Sequence, residues 1–385
     1  MNFELSDEQV LLREAAAGAL SRVKTVEAAR GALEDQVEAL PDLWPLARDA
    51  GWPGLLVPES CGGAGLGGLD AMLVHVELGR VLASVPLLGH VIATAVLAAD
   101  ADAHAELLAQ LASGERRAAL VPARPPDDLE SDWTVEATRG RRREPAPGIA
   151  GDAVSGFTPW VIDAPGADVL VVVGVRDGEP GALVVEASDA GVEVEHVTRF
   201  DATRSLGHVT LDGAGGQPVA AGADEIARGW YLAQGLLAGE ALGAVEEALK
   251  RSVEYAKERY TFGRAIGSYQ AVKHNLVEVL RRGDNLRSLI YYAGWASDSK
   301  ADELAVAASA ARVAADEAID FAARQFISVH GGIGATWEHD APFYFRRAEL
   351  SRRLLGGAGD AAGRVAAELF AQSAAQSAAA APAEL

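Results

Sequence analysis

The segment Arg259-Tyr260-Thr261-Phe262-Gly263-Arg264-Ala265-Ile266-Gly267-Ser268-Tyr269-Gln270 sets arginine, aromatic, glycine and glutamine residues between two helical runs. A guanidinium can fork onto a pyrophosphate, glycine lets backbone N–H groups approach an anion, and a helix restarting there directs its positive end toward it. On these residues alone an ordinary turn between helices is equally open. A second cluster, His330-Gly331-Gly332-Ile333-Gly334-Ala335-Thr336-Trp337-Glu338-His339-Asp340, also interrupts helical sequence. Its Glu338, His339 and Asp340 invite a metal or acid–base reading. Consecutive helical residues point about 100° apart, however, so these three cannot converge on one ion without further ligands. A carboxylate pair at a helix start, favoured by the macrodipole, is the better reading, and no metal is expected. Gly63-Ala64-Gly65-Leu66-Gly67-Gly68 fits G-x-G-x-x-G, but Leu55-Leu56-Val57 runs straight into Pro58 and both flanks are helical, so a loop between helices is expected rather than a dinucleotide turn. The single cysteine, Cys61, permits no internal disulfide and reads as a plain loop residue.

The elements that must hold these residues fall into three textures. Ser6-Asp7-Glu8-Gln9 has capping-box spacing, and helical patterns follow at Leu43–Ala50, Asp70–Leu82 and Ala103–Leu111. From about Ala118 short β-branched runs take over: Trp133–Thr138, Asp168–Val175, Ala182–Glu186, Val192–Val197 and His208–Leu211. The basic stretch Arg139–Gly148 between the first runs reads as an exposed loop. After Gly213-Ala214-Gly215-Gly216, four long helical segments begin at Asp224, broken near Phe262–Gly267, Ser297–Ala301 and Gly331–Thr336, which predicts an antiparallel bundle. The expected class is α+β: an N-terminal helical domain over 1–116, a middle antiparallel β-domain over 117–220, a C-terminal four-helix bundle over 221–372 and a flexible tail over 373–385. The alanine-rich stretch from Ala371 is expected to fray.

Composition narrows the partners. With 34 Lys plus Arg against 55 Asp plus Glu among 385 residues, the net charge of −21 repels phosphate backbones and anionic lipid, so neither nucleic acid nor a membrane is an expected partner. Val91–Ala99, among the longest apolar stretches, is far short of the roughly 20 residues of a membrane span. The start lacks a basic and apolar leader, so a cytoplasmic location is expected.

The order of parts and the two glycine-bearing breaks resemble the acyl-CoA dehydrogenase family over nearly the whole chain. The resemblance rests on Phe3-x-Leu5-x-x-x-Gln9, Gly51-Trp52-Pro53-Gly54-Leu55, Pro58-Glu59, Gly62-Gly63 and Glu77-Leu78-Gly79-Arg80. Its strongest signals are Arg259-x-x-Phe262-Gly263-x-x-Ile266-x-x-x-Gln270 and His330-Gly331-Gly332-x-Gly334. The family uses FAD to place a double bond between the α and β carbons of an acyl-CoA thioester, a carboxylate removing the α proton while the flavin takes hydride. The resemblance implies that Arg259, Phe262 and Gln270, with Ser328, His330, Gly331 and Gly332, contact the adenine and diphosphate part of an FAD whose flavin lies in a neighbouring subunit.

The departures fall elsewhere. The family's usual catalytic glutamate matches Gly356, and the alternative base position on the first bundle helix holds Ala233, so no catalytic residue is carried over. The Thr-Glu-Pro-Gly-like flavin loop is replaced by Ala119-Leu120-Val121-Pro122-Ala123-Arg124-Pro125-Pro126. The family's hydroxyl beside flavin N5 falls at Ile162 of Trp160-Val161-Ile162, which cannot donate a hydrogen bond. Ser328 replaces the usual glutamine. The resemblance therefore points to an FAD-dependent acyl-CoA dehydrogenase subunit, inactive alone, in a heterotetramer with a homologous catalytic subunit. That partner would bind most of the acyl-CoA, with a steroid side-chain CoA as the substrate the resemblance suggests, and pass electrons to a separate acceptor. An autonomous homotetramer with a displaced base, Glu240, Glu246 or Glu247, and an FAD-free scaffold are the alternatives.

Overall fold

The computed structural model describes residues 4–35, 40–122, 134–136, 143–197 and 201–380. Helices come first: α1 (Asp7–Leu20), α2 (Thr25–Asp35), α3 (Trp44–Asp49), α4 (Gly68–Arg80), α5 (Leu88–Leu97) and α6 (Ala105–Ala112). The capping box forms, with the Gln9 N–H donating to Ser6 Oγ at 3.2 Å and the Ser6 N–H to Gln9 Oε1 at 3.1 Å. The strands follow as β1 (Ala118–Val121), β2 (Thr134–Glu136), β3 (Arg143–Pro145), β4 (Gly148–Ala150), β5 (Ala153–Ile162), β6 (Val169–Arg176), β7 (Glu179–Glu186), β8 (Val192–His196) and β9 (Leu206–Val219). The rest is helical apart from one hairpin: α7 (Ala223–Glu258), β10 (Tyr260–Thr261), β11 (Arg264–Ala265), α8 (Gln270–Ser299), α9 (Ala301–His330), α10 (Ala341–Ser351) and α11 (Gly357–Ala380).

A seven-stranded sheet runs β1-β6-β4-β5-β9-β7, with β8 on β9. It is largely antiparallel, but β1 pairs with β6 in parallel, as does β4 through Gly148 and Val175. Side chains alternate along β6 as the pleat requires. Val169, Val171 and Val173 join the helical core, whereas Leu170 and Val172 fill a second core with Val121, Leu183 and Val185. Every residue of that central strand from 169 to 173 is buried, which is why it reads as an unbroken apolar run.

α4 and α7 cross at the centre with their backbones nearly touching. A Cβ on Gly243 would lie 1.8 Å from the Val76 carbonyl oxygen, and one on Gly79 would lie 2.0 Å from that of Glu240. Only glycine permits that approach, and it fixes where α7 delivers its ends.

Several features differ from the sequence-based expectation, among them α2 and α5, which the expected helical patterns leave out. β5 was not expected, because Gly156, Pro159 and Trp160 interrupt its pattern; bulges at these points absorb the irregularity. The stretch expected as an exposed basic loop includes β3, which pairs with β2 in a short antiparallel ribbon; residues 137–142 lie outside the described residues. The last helical segment is two helices, because Leu355, Gly356 and Gly357 all take positive φ. The buried Arg312 guanidinium stabilises that break by donating to the carbonyls of Ser351 and Leu354, the latter at 3.1 Å. From Ala371 the chain stays helical to Ala380, as alanine's high helix propensity favours.

Candidate functional site

α7 ends at Glu258, and Arg259 turns extended (φ −81°, ψ 121°) with its N–H on the Tyr255 carbonyl at 2.9 Å. The next residues form the β10–β11 hairpin, whose two-residue turn is Phe262 (φ 51°) and Gly263 (φ 78°). Two successive positive φ values make a type I′-like turn, which matches the right-handed twist of the strands and holds Phe262 outward. The Ile266 N–H donates to the Arg259 carbonyl at 2.7 Å and closes the corner. The Tyr269 hydroxyl donates to the Thr261 carbonyl at 3.2 Å, and the Arg264 guanidinium lies 4.0 Å from the Tyr269 ring centre. Phe262 is 94% exposed, and Arg259 and Gln270 are exposed too. The Arg259 side chain has no ion-pair or hydrogen-bond partner among the described residues.

α9 ends at His330, where Gly331 takes φ 64°, ψ −137° and donates to the carbonyls of Ile327 (3.1 Å) and Ser328 (3.2 Å). No atom lies within 4 Å of where a Gly331 Cβ would be, so its backbone angle, not lack of space, selects glycine. The N–H groups of Gly332 and Ile333 find no acceptor among the described residues.

A ring stack ties the two breaks together. Tyr255, one turn before Arg259, stacks on His330 at 4.2 Å, and His330 faces His339 at 4.2 Å. Arg259, Phe262, Gln270 and the Ser328–Gly332 backbone therefore gather at the end of the bundle where α7 and α9 finish and α8 starts. The His330 ring is buried, and its Nδ1 donates to the Phe326 carbonyl at 2.8 Å. Ser328 is exposed. Asp340 does not act through the helix macrodipole alone: Arg30 (2.5 Å) and Arg251 (2.6 Å) both grip it and hold its carboxyl below the usual range despite burial.

Ala233 and Gly356 also prove to be neighbours. Gln234, next to Ala233, donates through Nε2 to the carbonyl of Leu355, next to Gly356, at 3.0 Å. Tyr231, Ser309, Asp360 and Arg364 line the small cavity beside them. On the β-domain side Ile162 is 3% exposed and packs into the helical core.

The acids suggested as displaced bases are all engaged. Glu246 is bonded by Arg80 and by Arg287 (2.7 Å), and Glu247 by Arg251 (2.7 Å). Glu240 is buried and paired with Arg204, with Arg347 at 3.6 Å. Arg347 in turn bonds Asp201 (2.7 Å) and Thr203, clamping the β-domain onto the bundle. Asp163 adjoins this cluster: burial pushes its carboxyl up to about 6, against the opposing pull of Arg204 and the Gly89 N–H. Sequence reading missed this network because its partners lie up to 146 residues apart, with no local signal.

Among the described residues no helix is long and apolar enough to cross a membrane. Residues 221–370 match the model of the acyl-CoA dehydrogenase C-terminal domain, and residues 6–115 that of the N-terminal domain. The chain is 31% identical to the acyl-CoA dehydrogenase IpdE2 of Mycolicibacterium smegmatis, over 95% of this chain and 100% of that one. Its identity to IpdE2 of Mycobacterium tuberculosis is 32%, over 91% of this chain and 93% of the relative. Among solved structures, the ChsE4–ChsE5 complex from Mycobacterium tuberculosis superimposes with a TM-score of 0.82 at 27% identity, covering 96% of this chain and 99% of that one. A variant of the Tcur3481–Tcur3483 steroid ACAD gives 0.83 at 27% identity with the same coverage.

Proposed function

The chain belongs to the acyl-CoA dehydrogenase family, and from that premise we propose that it is the non-catalytic subunit of a heteromeric, FAD-dependent acyl-CoA dehydrogenase. It holds the adenine and diphosphate half of an FAD whose flavin, base and acyl-CoA lie in a homologous partner. The observation that carries this reading is the asymmetry between two regions. One end of the bundle is exposed and chemically equipped, whereas the family's base and flavin-hydroxyl positions hold Ala233, Gly356 and the buried Ile162.

The donor set fits a dinucleotide's diphosphate. Arg259 supplies an unpaired guanidinium, and Gly332 and Ile333 supply unengaged N–H groups beside a glycine with open space around it. Gln270 and Ser328 add amide and hydroxyl groups suited to an adenine edge, and the exposed Phe262 ring offers an apolar face. Bound FAD supplies the hydride acceptor for α,β-desaturation of an acyl thioester. This chain's share is to bind and orient the cofactor's remote half, which steadies the flavin without touching the reacting carbons.

The two-component make-up of the ChsE4–ChsE5 and Tcur3481–Tcur3483 neighbours supports a heterotetramer, and the steroid ACAD label supports a steroid side-chain CoA as substrate. Guanidinium engagement of Glu240, Glu246 and Glu247 weighs against an autonomous enzyme with a displaced base, because an ion pair stabilises the carboxylate and lowers its basicity. To test the proposal, the chain is purified alone and with its partner subunit. The lone chain is expected to be inactive and the pair yellow and active; a yellow lone chain that oxidises acyl-CoA would contradict it.

A further inference from the structure

A cleft of about 310 Å³ opens between the start of α7 and the end of α5; neither the residues assigned to the cofactor nor Ala233 and Gly356 line it, although Leu232 of its wall directly precedes Ala233. α5 passes into a short 3-10 turn at Ala98, and Ala95, Ala98 and Ala99 present one small-residue wall. Leu56, Leu66 and Leu232 complete the apolar lining. Glycines set how closely the walls approach. A Cβ on Gly229 would come within 2.5 Å of Val96 Cγ2, and one on Gly68 within 2.6 Å of Ser297 Oγ.

The polar lining is Glu225, Arg228, Ser297 and Asp298. Both carboxylates are already committed to helix starts. Glu225 accepts the Gly222 N–H at 2.9 Å ahead of α7, and Asp298 accepts the Gly68 N–H at 2.7 Å in the first turn of α4. Burial also raises the Asp298 carboxyl above its ordinary value. Arg228 is exposed and has no partner among the described residues.

We propose that this cleft binds a medium-chain carboxylate, its hydrocarbon body against the alanine and leucine lining and its head group on Arg228. A planar guanidinium with no partner among the described residues matches a carboxylate's two oxygens. The volume stands at the low end of the roughly 300–1,000 Å³ of small-molecule sites, too small for a whole CoA thioester or a flavin dinucleotide. The site does not depend on the FAD reading, and neither experiment decides the other.

Octanoate titrated calorimetrically into the complete chain, alone and with its partner subunit, is expected to bind saturably. Arg228→Gln removes no hydrogen bond or ion pair among the described residues and is expected to weaken octanoate about tenfold, the worth of one charge-assisted bond, while leaving octanol binding unchanged. Ala98→Trp, which fills the cleft, is expected to abolish both. Absence of saturable octanoate binding, or an octanoate affinity unchanged by Arg228→Gln, overturns the proposal. The Arg228 variant carries the decision if Ala98→Trp does not fold.

Discussion

Arg259 and Gly331 carry the cofactor reading residue by residue, and each makes a separable prediction. The Arg259 side chain is exposed and unpartnered, so Arg259→Ala is expected to leave the melting temperature unchanged. In the purified complex it should weaken FAD retention about tenfold or more, measured by flavin release on dilution. Lysine at that position should recover only part of the loss, because a point charge lacks the planar fork. Gly331→Ala acts differently. Its φ of 64° forces a side-chain-bearing residue into strain, so a stability loss of about 1–3 kcal/mol is expected in denaturant unfolding even with open space around it. Arg259 and Gly331 were visible in the sequence because each stands in a local pattern, a glycine-bearing interruption of helical periodicity. The ion pairs of Glu240 are not legible in the sequence, for the opposite reason. Its partners Arg204 and Arg347 lie 36 residues before it and 107 after it, and helix periodicity says nothing about such pairs.

At the scale of elements, the Arg347 clamp ties the segment before β9 to the bundle. Arg347→Ala leaves the buried Asp201 without its ion-pair partner and with only its Thr203 bonds, so a loss of about 3–5 kcal/mol is expected by chemical denaturation. The same logic predicts that Glu240→Gln lowers stability in proportion to the lost pair with Arg204, and does not act as removal of a base. Two buried groups pull the acid-side pH dependence in opposite directions. Burial depresses His90 from 6.5 to about 4, so as pH falls from about 6.5 toward 4 the unfolded chain takes up a proton that the folded chain refuses, and stability drops. Asp163 is raised from 3.8 to about 6, so its contribution is fully present at the acid end and is lost as pH rises through that interval, partly offsetting His90. Unfolding free energies measured between pH 4 and 7 should therefore fall more steeply toward acid in Asp163→Asn and less steeply in His90→Gln. Element order was legible because helices and strands differ in hydrophobic period. β5 and the α10–α11 break were not, since a bulged strand and a kink held by the distant Arg312 leave no period to read.

Over the whole molecule, an excess of 21 negative charges coexists with one bundle end that carries an unpaired guanidinium, unengaged N–H groups and a 94% exposed phenylalanine. A diphosphate responds to the field within about 8–10 Å at ordinary ionic strength, so the total charge does not oppose it. An exposed half-site without a flavin hydroxyl or a base makes chemical sense beside a second subunit that supplies both. Flavin counting in the co-purified complex tests that division most directly. The account predicts one FAD for each pair of chains, from flavin absorbance against total protein with the two subunits quantified separately. One FAD per chain, or a colourless active complex, would contradict it.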